Sequence, residues 1–379
     1  MEKFSSWKKL RSLEWKKLKR LEWKAWRGSR WQTWKDSKTV KVESGSGELR
    51  DSDHSHGLNS SKFSSKRRWV LPALLVMVLV LAGQSRALAA FWNLSGDIAV
   101  HDPTIIKEGN SWYTFSTGPG IQVLKSDNGT SWYRVPQIFL SEPSWWNSAV
   151  PAQKDLDVWA PDVQRYNGKV WLYYSISTFG SNRSAIGLAS ANSVGAGQWK
   201  DEGLVLQSNT SNNYNAIDPE LVIDASGNPW LAFGSFWSGL KIVKLDKNTM
   251  KPTGNIFSIA ARPNNGGAIE APSITYRNGY YYLFASIDSC CKGVNSTYKM
   301  VYGRSTSITG PYVDKNGVNM MNGGGTILDS GNVRWKGPGG QDVVNGNLIV
   351  RHAYDATDNG NPKLLISDLL WDGNGWPTY

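Results

Sequence analysis

The sequence is poor in cysteine, in long apolar runs and in helical periodicity, and each shortage excludes a class of protein. Its two cysteines are adjacent, Cys290 and Cys291, so there is neither a disulfide framework nor a zinc-binding pattern. The apolar run at 69–83 is short for a membrane-spanning helix, which needs about 20 apolar residues. Residues 91–379 show no sustained helical period, and their short aromatic runs between Gly/Asn turns favour an all-β protein.

The net charge of +11 is concentrated at one end of the chain. Residues 1–90 carry 20 Lys and Arg against 8 Asp and Glu, a net charge of +12. Residues 91–379 carry 22 against 23, a net charge of −1. Because the body is almost neutral, the basic isoelectric point gives no reason to expect a nucleic-acid partner.

The first 68 residues are predicted to be a disordered basic leader. Residues 7–34 contain six tryptophans among many Lys and Arg. This composition is typical of a segment lying on an anionic membrane surface; the alternative is a disordered extension, or upstream sequence translated from a start codon assigned too early. The apolar positions do not follow one helical stripe, and this favours the extension. Residues 41–66 are rich in Ser, Gly, Asp and His and are interpreted as linker.

Residues 69–90 are predicted to be a signal peptide or a signal anchor. Lys66-Arg67-Arg68 precedes the apolar run, and Ala87-Leu88-Ala89 follows it as a small-x-small cleavage pattern. The body is therefore expected outside the cytoplasm. It would be secreted after cleavage, or attached to the outer face of the membrane through residues 69–83 if the signal is not cleaved.

A repeat divides the body. Each copy begins with an acidic or small residue and a proline, then has a strand, a Gly/Asn turn and an aromatic strand. The prolines are Pro103, Pro161, Pro219 and Pro272, and a fifth copy at Gln341-Asp342 lacks the proline. Further strand runs bring each copy to about four strands, the content of a propeller blade. Residues 91–379 are therefore predicted to form a five-bladed β-propeller.

Three carboxylates fall near the repeat starts: Asp102, Asp218 and Glu270 each precede a proline by one or two residues. The innermost strands of a propeller line its central channel, so these side chains should converge. Two carboxyl groups that act as acid and base suit glycoside hydrolysis, and a third charge can raise the pKa of the acid. The alternative is that each caps a turn or pairs with Arg. Asp162 follows its proline and is interpreted as a turn or strand-end carboxylate.

Six motifs carry a resemblance to a known family: His101-Asp102-Pro103, Trp159 to Asp162, Asn215 to Pro219, Gly234 to Gly239, Ile269 to Pro272 and Ser305 to Tyr312. With these motifs, residues 95–379 resemble the family 43 glycoside hydrolases, and in particular the endo-α-1,5-L-arabinanases. The resemblance implies a five-bladed propeller that cleaves by inversion. It implies that Asp102 is the general base, that Glu270 is the general acid, and that Asp218 tunes the pKa of the acid and orients it.

The resemblance also implies a set of sugar contacts. Trp159 and Trp237 would offer aromatic faces to the furanose rings, with Trp145 and Trp146 as weaker candidates. The remaining expected contacts are Asp102, Gly180, Asn215, Ala216, Ile217, Asp218, Ser235 and Phe236.

The resemblance further implies an ion, Ca²⁺ or a similar cation, in the central channel near His352, with oxygen ligands, largely water, completing its shell. The alternative is a neutral histidine that is hydrogen-bonded in the channel. The run from Gly337 to Gln341 lacks a histidine that many relatives carry, which leaves the ion site open. Cys290 and Cys291 lie where some relatives also have a pair, and they form either a disulfide or two thiols.

The resulting hypothesis is hydrolysis of internal bonds of arabinan, a side-chain polysaccharide of pectin, by a monomeric enzyme. One alternative keeps the fold but acts from chain ends, as an α-L-arabinofuranosidase or β-xylosidase. Exo action usually needs a loop or added β-sandwich that closes the pocket, and the absence of an added domain before the end of the sequence favours endo action. Another alternative is a carbohydrate-binding propeller without catalysis, which would be expected to lack one of the carboxylates.

Overall fold

The structure is a computed structural model that describes residues 91–379. The predicted leader (1–68) and signal or anchor segment (69–90, with its apolar run 69–83) lie outside the described residues. From residue 91 onward, no helix is long and apolar enough to cross a membrane. Helices in this part are one turn long: α1 (Trp146–Ala149) and the 3₁₀ turns Gly293–Asn295 and Met320–Asn322.

Blades one and two each contain five strands. Blade one is formed by β1 (Ser95–Gly96), β2 (Thr104–Glu108), β3 (Ser111–Ser116), β5 (Gln122–Ser126) and β6 (Ser131–Val135), in the order β1-β6-β5-β3-β2. Blade two is formed by β4 (Gly118–Pro119), β7 (Asp157–Tyr166), β8 (Lys169–Ile176), β9 (Ser184–Ala191) and β10 (Lys200–Ser208), in the order β10-β9-β8-β7-β4. The β1–β6 pair is parallel, and the other ladders of both blades are antiparallel.

Blades three and four are four-stranded antiparallel meanders. Blade three is formed by β11 (Glu220–Ile223), β12 (Pro229–Phe233), β13 (Leu240–Leu245) and β14 (Pro252–Ala260). Blade four is formed by β15 (Ile269–Arg277), β16 (Tyr280–Ile287), β17 (Lys299–Ser305) and β18 (Thr326–Asp329).

Blade five has three strands of its own and is completed by the segment that precedes blade one. Its strands are β19 (Trp335–Val344), β20 (Leu348–Asp355) and β21 (Asn361–Asp368), followed by the hairpin β22 (Leu370–Trp371) and β23 (Pro377–Thr378). Phe91 bridges Ser367 on β21, and the N–H of Trp92 donates to the carbonyl of Ile366. The segment before β2 therefore covers the outer edge of blade five and joins it to blade one.

The innermost strands form a closed ring. Strand β2 contacts β7, β7 contacts β11, β11 contacts β15, β15 contacts β19, and β19 contacts β2 again. The expected all-β, five-bladed propeller is confirmed, and the repeat starts lead into its inner strands as predicted.

The Asn-Gly pairs of the repeat form tight hairpin turns. Asn167-Gly168, Asn278-Gly279 and Asn345-Gly346 each connect the first two strands of a blade, and both residues of each pair have positive φ. Such backbone angles define the type I′ turn, which matches the twist of paired strands and favours Asn-Gly.

Five separate hydrophobic clusters lie between neighbouring blades, because successive strand residues face opposite sides of a sheet. On β8, Leu172 and Tyr174 belong to the cluster shared with blade one, whereas Trp171 and Tyr173 belong to the cluster shared with blade three. Three further clusters join blades three and four, four and five, and five and one. This two-sided burial explains why the second strand of each blade is a continuous aromatic and β-branched run.

A ring of buried side chains, here called the polar belt, links the inner strands. It consists of Thr104, Asp162, Glu220, Ser273 and Asp342. These residues lie two positions after the start of each repeat, and in blade five the position equivalent to that start is Gly340. Each accepts a hydrogen bond, 2.7–3.2 Å long, from a backbone N–H of the next blade, and Asp342 closes the circle by accepting from Ile105. All five blade junctions are thus held by the same contact.

Candidate active site

At one point every blade leaves regular strand geometry. The residue just before the proline, or its counterpart in blade five, has positive φ; these residues are Asp102 (47°), Ala160 (40°), Asp218 (55°), Ala271 (51°) and Gly340 (54°). In blades two, four and five the ladder between the first two strands is also irregular at this point. Non-glycine residues rarely adopt such angles, and such strain concentrates at functional sites. We call these five positions the mouth residues.

The backbone N–H groups of the mouth residues are held by the preceding blade. The N–H of Ala160 donates to Thr117 Oγ1 (2.9 Å), that of Asp218 to Ser175 Oγ (3.0 Å) and that of Gly340 to Ser286 Oγ (3.0 Å). The remaining two are accepted by groups predicted to be functional. Asp218 Oδ2 accepts from Ala271 (3.1 Å), and His352 Nδ1 accepts from Asp102 (3.0 Å).

Asp102 is held as an ionised carboxylate. Its Oδ2 lies 2.7 Å from His101 Nδ1 and accepts from the hydroxyl of Thr117 at 2.9 Å. Burial acts to raise the pKa of Asp102, but its interactions with His101, His352 and Thr117 outweigh this effect and lower the pKa to about 2. Its side chain keeps 21% of its surface exposed, so the carboxylate can still meet water.

Asp218 and Glu270 form an electrostatically coupled pair. Burial raises the pKa of Asp218 well above its usual value, and the charges of Glu270 and then Asp102 act in the same direction. Two carboxylates that repel each other in a buried place favour a state in which they share one proton. The three predicted carboxylates therefore do interact with one another, as the repeat predicted.

Glu270 is oriented by two hydroxyl groups. Its Oε2 lies 2.7 Å from Ser235 Oγ, and its Oε1 lies 2.9 Å from the hydroxyl of Tyr298. Ser235 was predicted to contact sugar, and the structure places its hydroxyl on the carboxyl group of Glu270. Tyr298, buried in the loop before β17, has no counterpart in the repeat, so no sequence signal identified it.

A small cavity lies on the channel axis and is lined by residues of all five blades. Asp102 and Asp218 line it beside three carboxyl groups of the polar belt, those of Asp162, Glu220 and Asp342. The channel thus places the belt next to the mouth residues.

The predicted sugar contacts divide into exposed and buried groups. Gly180 and Trp237 are exposed, and Trp159 and Phe236 are partly buried. Trp159 packs against Phe179 with ring centroids 4.9 Å apart. Asn215, Ala216 and Ile217 are buried, and the Asn215 carboxamide oxygen accepts from Ser184.

Of the two weaker aromatic candidates, Trp146 does not offer a free face. It is 2% exposed and packs in the core between blades one and two, so the expectation that it presents its ring to a sugar is wrong. Its apolar surroundings on α1, beside Phe139 and Tyr174, explain the error. Trp145 is partly buried against the same core, and its indole N–H donates to Asp201.

Asp162 does not lie in a turn or at a strand end. It is a buried residue within β7 and a member of the polar belt. Carboxylate oxygens of Asp162, Glu220 and Asp342 lie within 4.8 Å of one another. Burial and the charge of Asp342 raise the pKa of Asp162 to about 7, and burial raises that of Asp342 to about 6.

His352 is fully buried on β20, and its ring stacks on that of His101 with centroids 3.7 Å apart. Its Nδ1 accepts from the backbone of Asp102, and its Nε2 has no hydrogen-bond partner among residues 91–379. Burial lowers the pKa of His352 well below its usual value, so the ring is neutral. Nε2 can act as a cation ligand only in the tautomer in which Nδ1 carries the ring proton and no longer accepts from Asp102. A cation on Nε2 would require the ring proton on Nδ1, which lies 3.5 Å from Asp102 Oδ1.

Residues 96–377 match the family model of the glycosyl hydrolases family 43. With the propeller and its cluster of carboxylates, this shows that the chain belongs to that family and is a glycoside hydrolase.

Among proteins of known activity, the chain is 64% identical over 311 residues to the extracellular endo-α-(1→5)-L-arabinanase 1 of Bacillus subtilis, covering 81% of this chain and 95% of the relative. It is 42% identical over 299 residues to an extracellular exo-α-(1→5)-L-arabinofuranosidase of Cellvibrio japonicus, covering 74% and 86%. The solved structure of a GH43 endo-arabinanase from Bacillus licheniformis is similar with a TM-score of 0.75 at 66% identity, covering 76% of this chain and 100% of that one.

Proposed function

We propose that this protein hydrolyses internal α-1,5-L-arabinofuranosidic bonds of arabinan with inversion of configuration. The observation that carries the proposal is the grouping of Asp102, Asp218 and Glu270 at one end of the channel. The three residues come from different blades, and their charges interact. The 64% identity to a named endo-arabinanase supports arabinan as the substrate.

Asp102 is proposed to be the general base. Its lowered pKa keeps the carboxylate ionised at neutral pH, the state that accepts a proton from water. Its bonds to His101 and Thr117 leave Oδ1 to receive the proton of an attacking water. Inversion requires the base and the acid to stand about 6.5–9.5 Å apart, with that water between them.

Glu270 is proposed to be the general acid that protonates the leaving oxygen, and Asp218 to be the residue that keeps it protonated. Because two ionised carboxylates would repel each other in this buried place, the pair retains one proton at neutral pH, and the proposed roles require that proton to reside on Glu270. Ser235 and Tyr298 hold the carboxyl group of Glu270 in place.

The exposed ring of Trp237 and the exposed backbone at Gly180 are proposed to contact the polysaccharide. Trp159, supported by Phe179, would offer a second aromatic face, and Asn215 to Asp218, with Phe236, would line the bound sugar. Aromatic faces suit the apolar face of a sugar ring.

His352 is proposed to bind a hard cation such as Ca²⁺ through Nε2, with water supplying most oxygen ligands. Such an ion would supply positive charge among the carboxylates of the channel. Metal analysis of the purified protein should then find one equivalent of cation, which His352→Ala should abolish. Chelation should lower the melting temperature of the wild type and leave that of the variant unchanged, and a metal-free wild type would refute the site.

The extracellular names of the relatives support a secreted protein, which we propose to be a monomer. Residues 69–90 are proposed to act as its export signal, and cleavage would free the propeller at 91–379. Mass spectrometry of the exported protein tests cleavage, since an uncleaved form would keep residues 69–83 for membrane attachment. Size-exclusion chromatography with light scattering tests the monomer.

The catalytic assignment is tested by Asp102→Asn and Glu270→Gln. Each should lower kcat by about 10²–10⁴-fold, the usual contribution of a general acid or base, and Glu202→Gln on the outer strand β10 should not. Proton NMR of the first product on linear arabinan should show the β-anomer. Wild-type rates in either variant, or an α-anomer, would overturn the mechanism.

Product size tests the mode of attack. Linear arabinan should give a ladder of oligomers from the start of the reaction. Monomer alone would instead indicate the exo activity for which the Cellvibrio japonicus relative is named, and binding without cleavage would indicate a non-catalytic carbohydrate-binding propeller.

A further inference from the structure

The adjacent cysteines have no part in the chemistry proposed above, yet they lie beside it. Cys290 and Cys291 form a disulfide in the loop between β16 and β17. The Sγ of Cys291 lies 3.9 Å from His101 Nε2, and the backbone N–H of Cys291 donates to the hydroxyl of Tyr354 at 2.7 Å. The cystine loop is therefore in contact with residues that surround Asp102.

Tyr354 connects this loop to His101. It is 3% exposed on β20, and its hydroxyl lies 2.8 Å from His101 Nε2. A hydroxyl group has one proton and two acceptor sites, so the oxygen can accept from Cys291 while its proton is donated to His101 Nε2. Nε2 is then the acceptor of the imidazole, and the ring proton resides on Nδ1, which lies 2.7 Å from Asp102 Oδ2.

We infer that Tyr354 and the Cys290–Cys291 loop are positioning residues for Asp102, which they serve by holding His101 in the tautomer that donates to its carboxylate. The inference rests on the proposed role of Asp102 as the base. In the other tautomer the lone pair of Nδ1 would face Oδ2 and repel it. The cystine holds the Cys291 N–H that turns the hydroxyl proton of Tyr354 toward His101.

The tautomer can be measured directly. Of the four histidines, His101 and His352 are the two in residues 91–379. Long-range ¹H–¹⁵N NMR of the full chain should show His101 protonated on Nδ1, with a mixture of tautomers in Tyr354→Phe. Protonation of His101 on Nε2 in the wild type would overturn the inference.

Kinetics should separate positioning from simple packing. Tyr354→Phe should lower kcat by about 10–100-fold, the usual effect of removing a residue that orients a functional histidine, with KM within about twofold. Tyr312→Phe is the matched control, because it also removes the hydroxyl of a buried tyrosine, one that donates to the carbonyl of Ile308. Equal effects of the two substitutions on kcat would overturn the positioning role.

The contribution of the cystine is tested with Cys290→Ser/Cys291→Ser. The double serine variant should have a lower kcat than the wild type. Combined with Tyr354→Phe, it should have the same kcat as Tyr354→Phe alone, because both changes act through the hydroxyl of Tyr354. If the two losses of kcat instead multiply in the combined variant, the cystine does not act through Tyr354 and has no positioning role. If the serine variant does not fold, as judged by circular dichroism, the NMR result and the kinetics of Tyr354→Phe decide whether the inference holds.

Failure of this inference is distinguishable from failure of the proposed function. Wild-type activity in Asp102→Asn would remove Asp102 as the base, whatever the tautomer of His101. Conversely, if Asp102→Asn is inactive but His101 is protonated on Nε2, Asp102 remains the base and only the positioning role of Tyr354 is refuted.

Discussion

Gly340 provides the sharpest test of how the channel positions Asp102. A Cβ on Gly340 would lie 2.3 Å from Asp102 Oδ1 and 3.1 Å from both Asp102 Cα and His352 Cε1. Positive φ alone does not demand glycine here, since the equivalent Ala160 and Ala271 adopt φ of 40° and 51°. The requirement comes from the approach of blade five to the carboxylate of blade one.

Gly340→Ala should therefore damage both activity and stability. To restore ordinary van der Waals contact, the carboxylate must move by roughly 1 Å, and a displacement of about 1 Å at a reacting group can cost about 100-fold in rate. Overpacking at a buried site costs about 1–3 kcal/mol. We expect kcat on linear arabinan to fall about 100-fold and the free energy of unfolding in urea to fall by about 1–3 kcal/mol.

Gly168→Ala is the matched control for this substitution. Gly168 also has positive φ, 78°, but a Cβ there would meet no atom within 4 Å. It should lose about 1 kcal/mol of stability through its backbone angle and keep its kcat. If Gly340→Ala keeps wild-type activity and loses no more stability than Gly168→Ala, the argument from close approach is refuted.

Three further predictions follow from the same contacts. Tyr298→Phe removes a hydroxyl 2.9 Å from Glu270 and should lower kcat about tenfold at constant KM; an unchanged kcat would exclude an orienting role. Trp237→Ala, which removes a half-exposed ring, should raise KM for arabinan about threefold to tenfold with little effect on kcat, and a constant KM would remove Trp237 from the binding surface. In the polar belt, the folded-state pKa of Asp162 is about 7, against about 3.9 unfolded. Its contribution to stability is therefore complete below about pH 4 and is lost as the pH rises through 7. Urea unfolding should show lower stability at pH 8 than at pH 5, Asp162→Asn should reduce that difference, and equal slopes in both proteins would contradict the assignment.

The sequence predicted those parts of the fold that depend on neighbouring residues. Asn-Gly pairs predicted the hairpins, continuous aromatic and β-branched runs such as Val170 to Tyr174 predicted the second strands, and the proline spacing predicted the inner strands. The segment at 91–98 was not recognised as the edge of blade five. Its pairing with β21 joins residues more than 260 positions apart, and no local pattern records such a contact.

The candidate site was predictable in its repeated residues and not in the residues that orient them. Asp102, Asp218 and Glu270 were found because the repeat brings its starting positions to one end of the channel. Tyr298 and Tyr354 come from outside the repeat starts, and their contacts depend on how second strands and loops pack. The polar belt did leave a signal, a polar residue two positions after every repeat start, but Asp162 was interpreted singly rather than as part of a ring.

The circular arrangement of the belt has a consequence for how activity is lost. Four blade junctions are bridged by continuous chain, whereas blades five and one are held together by packing and hydrogen bonds, among them those of the segment at 91–98 with β21 and those from Asp102 to His352 and from Ile105 to Asp342. The proposed base, Asp102, thus lies at the junction between blades five and one. Any opening of the propeller that begins at this junction would separate Asp102 from His352 before the other blades unfold. Catalytic activity would then report on closure of the ring, and would disappear at lower denaturant concentration than the β-sheet signal.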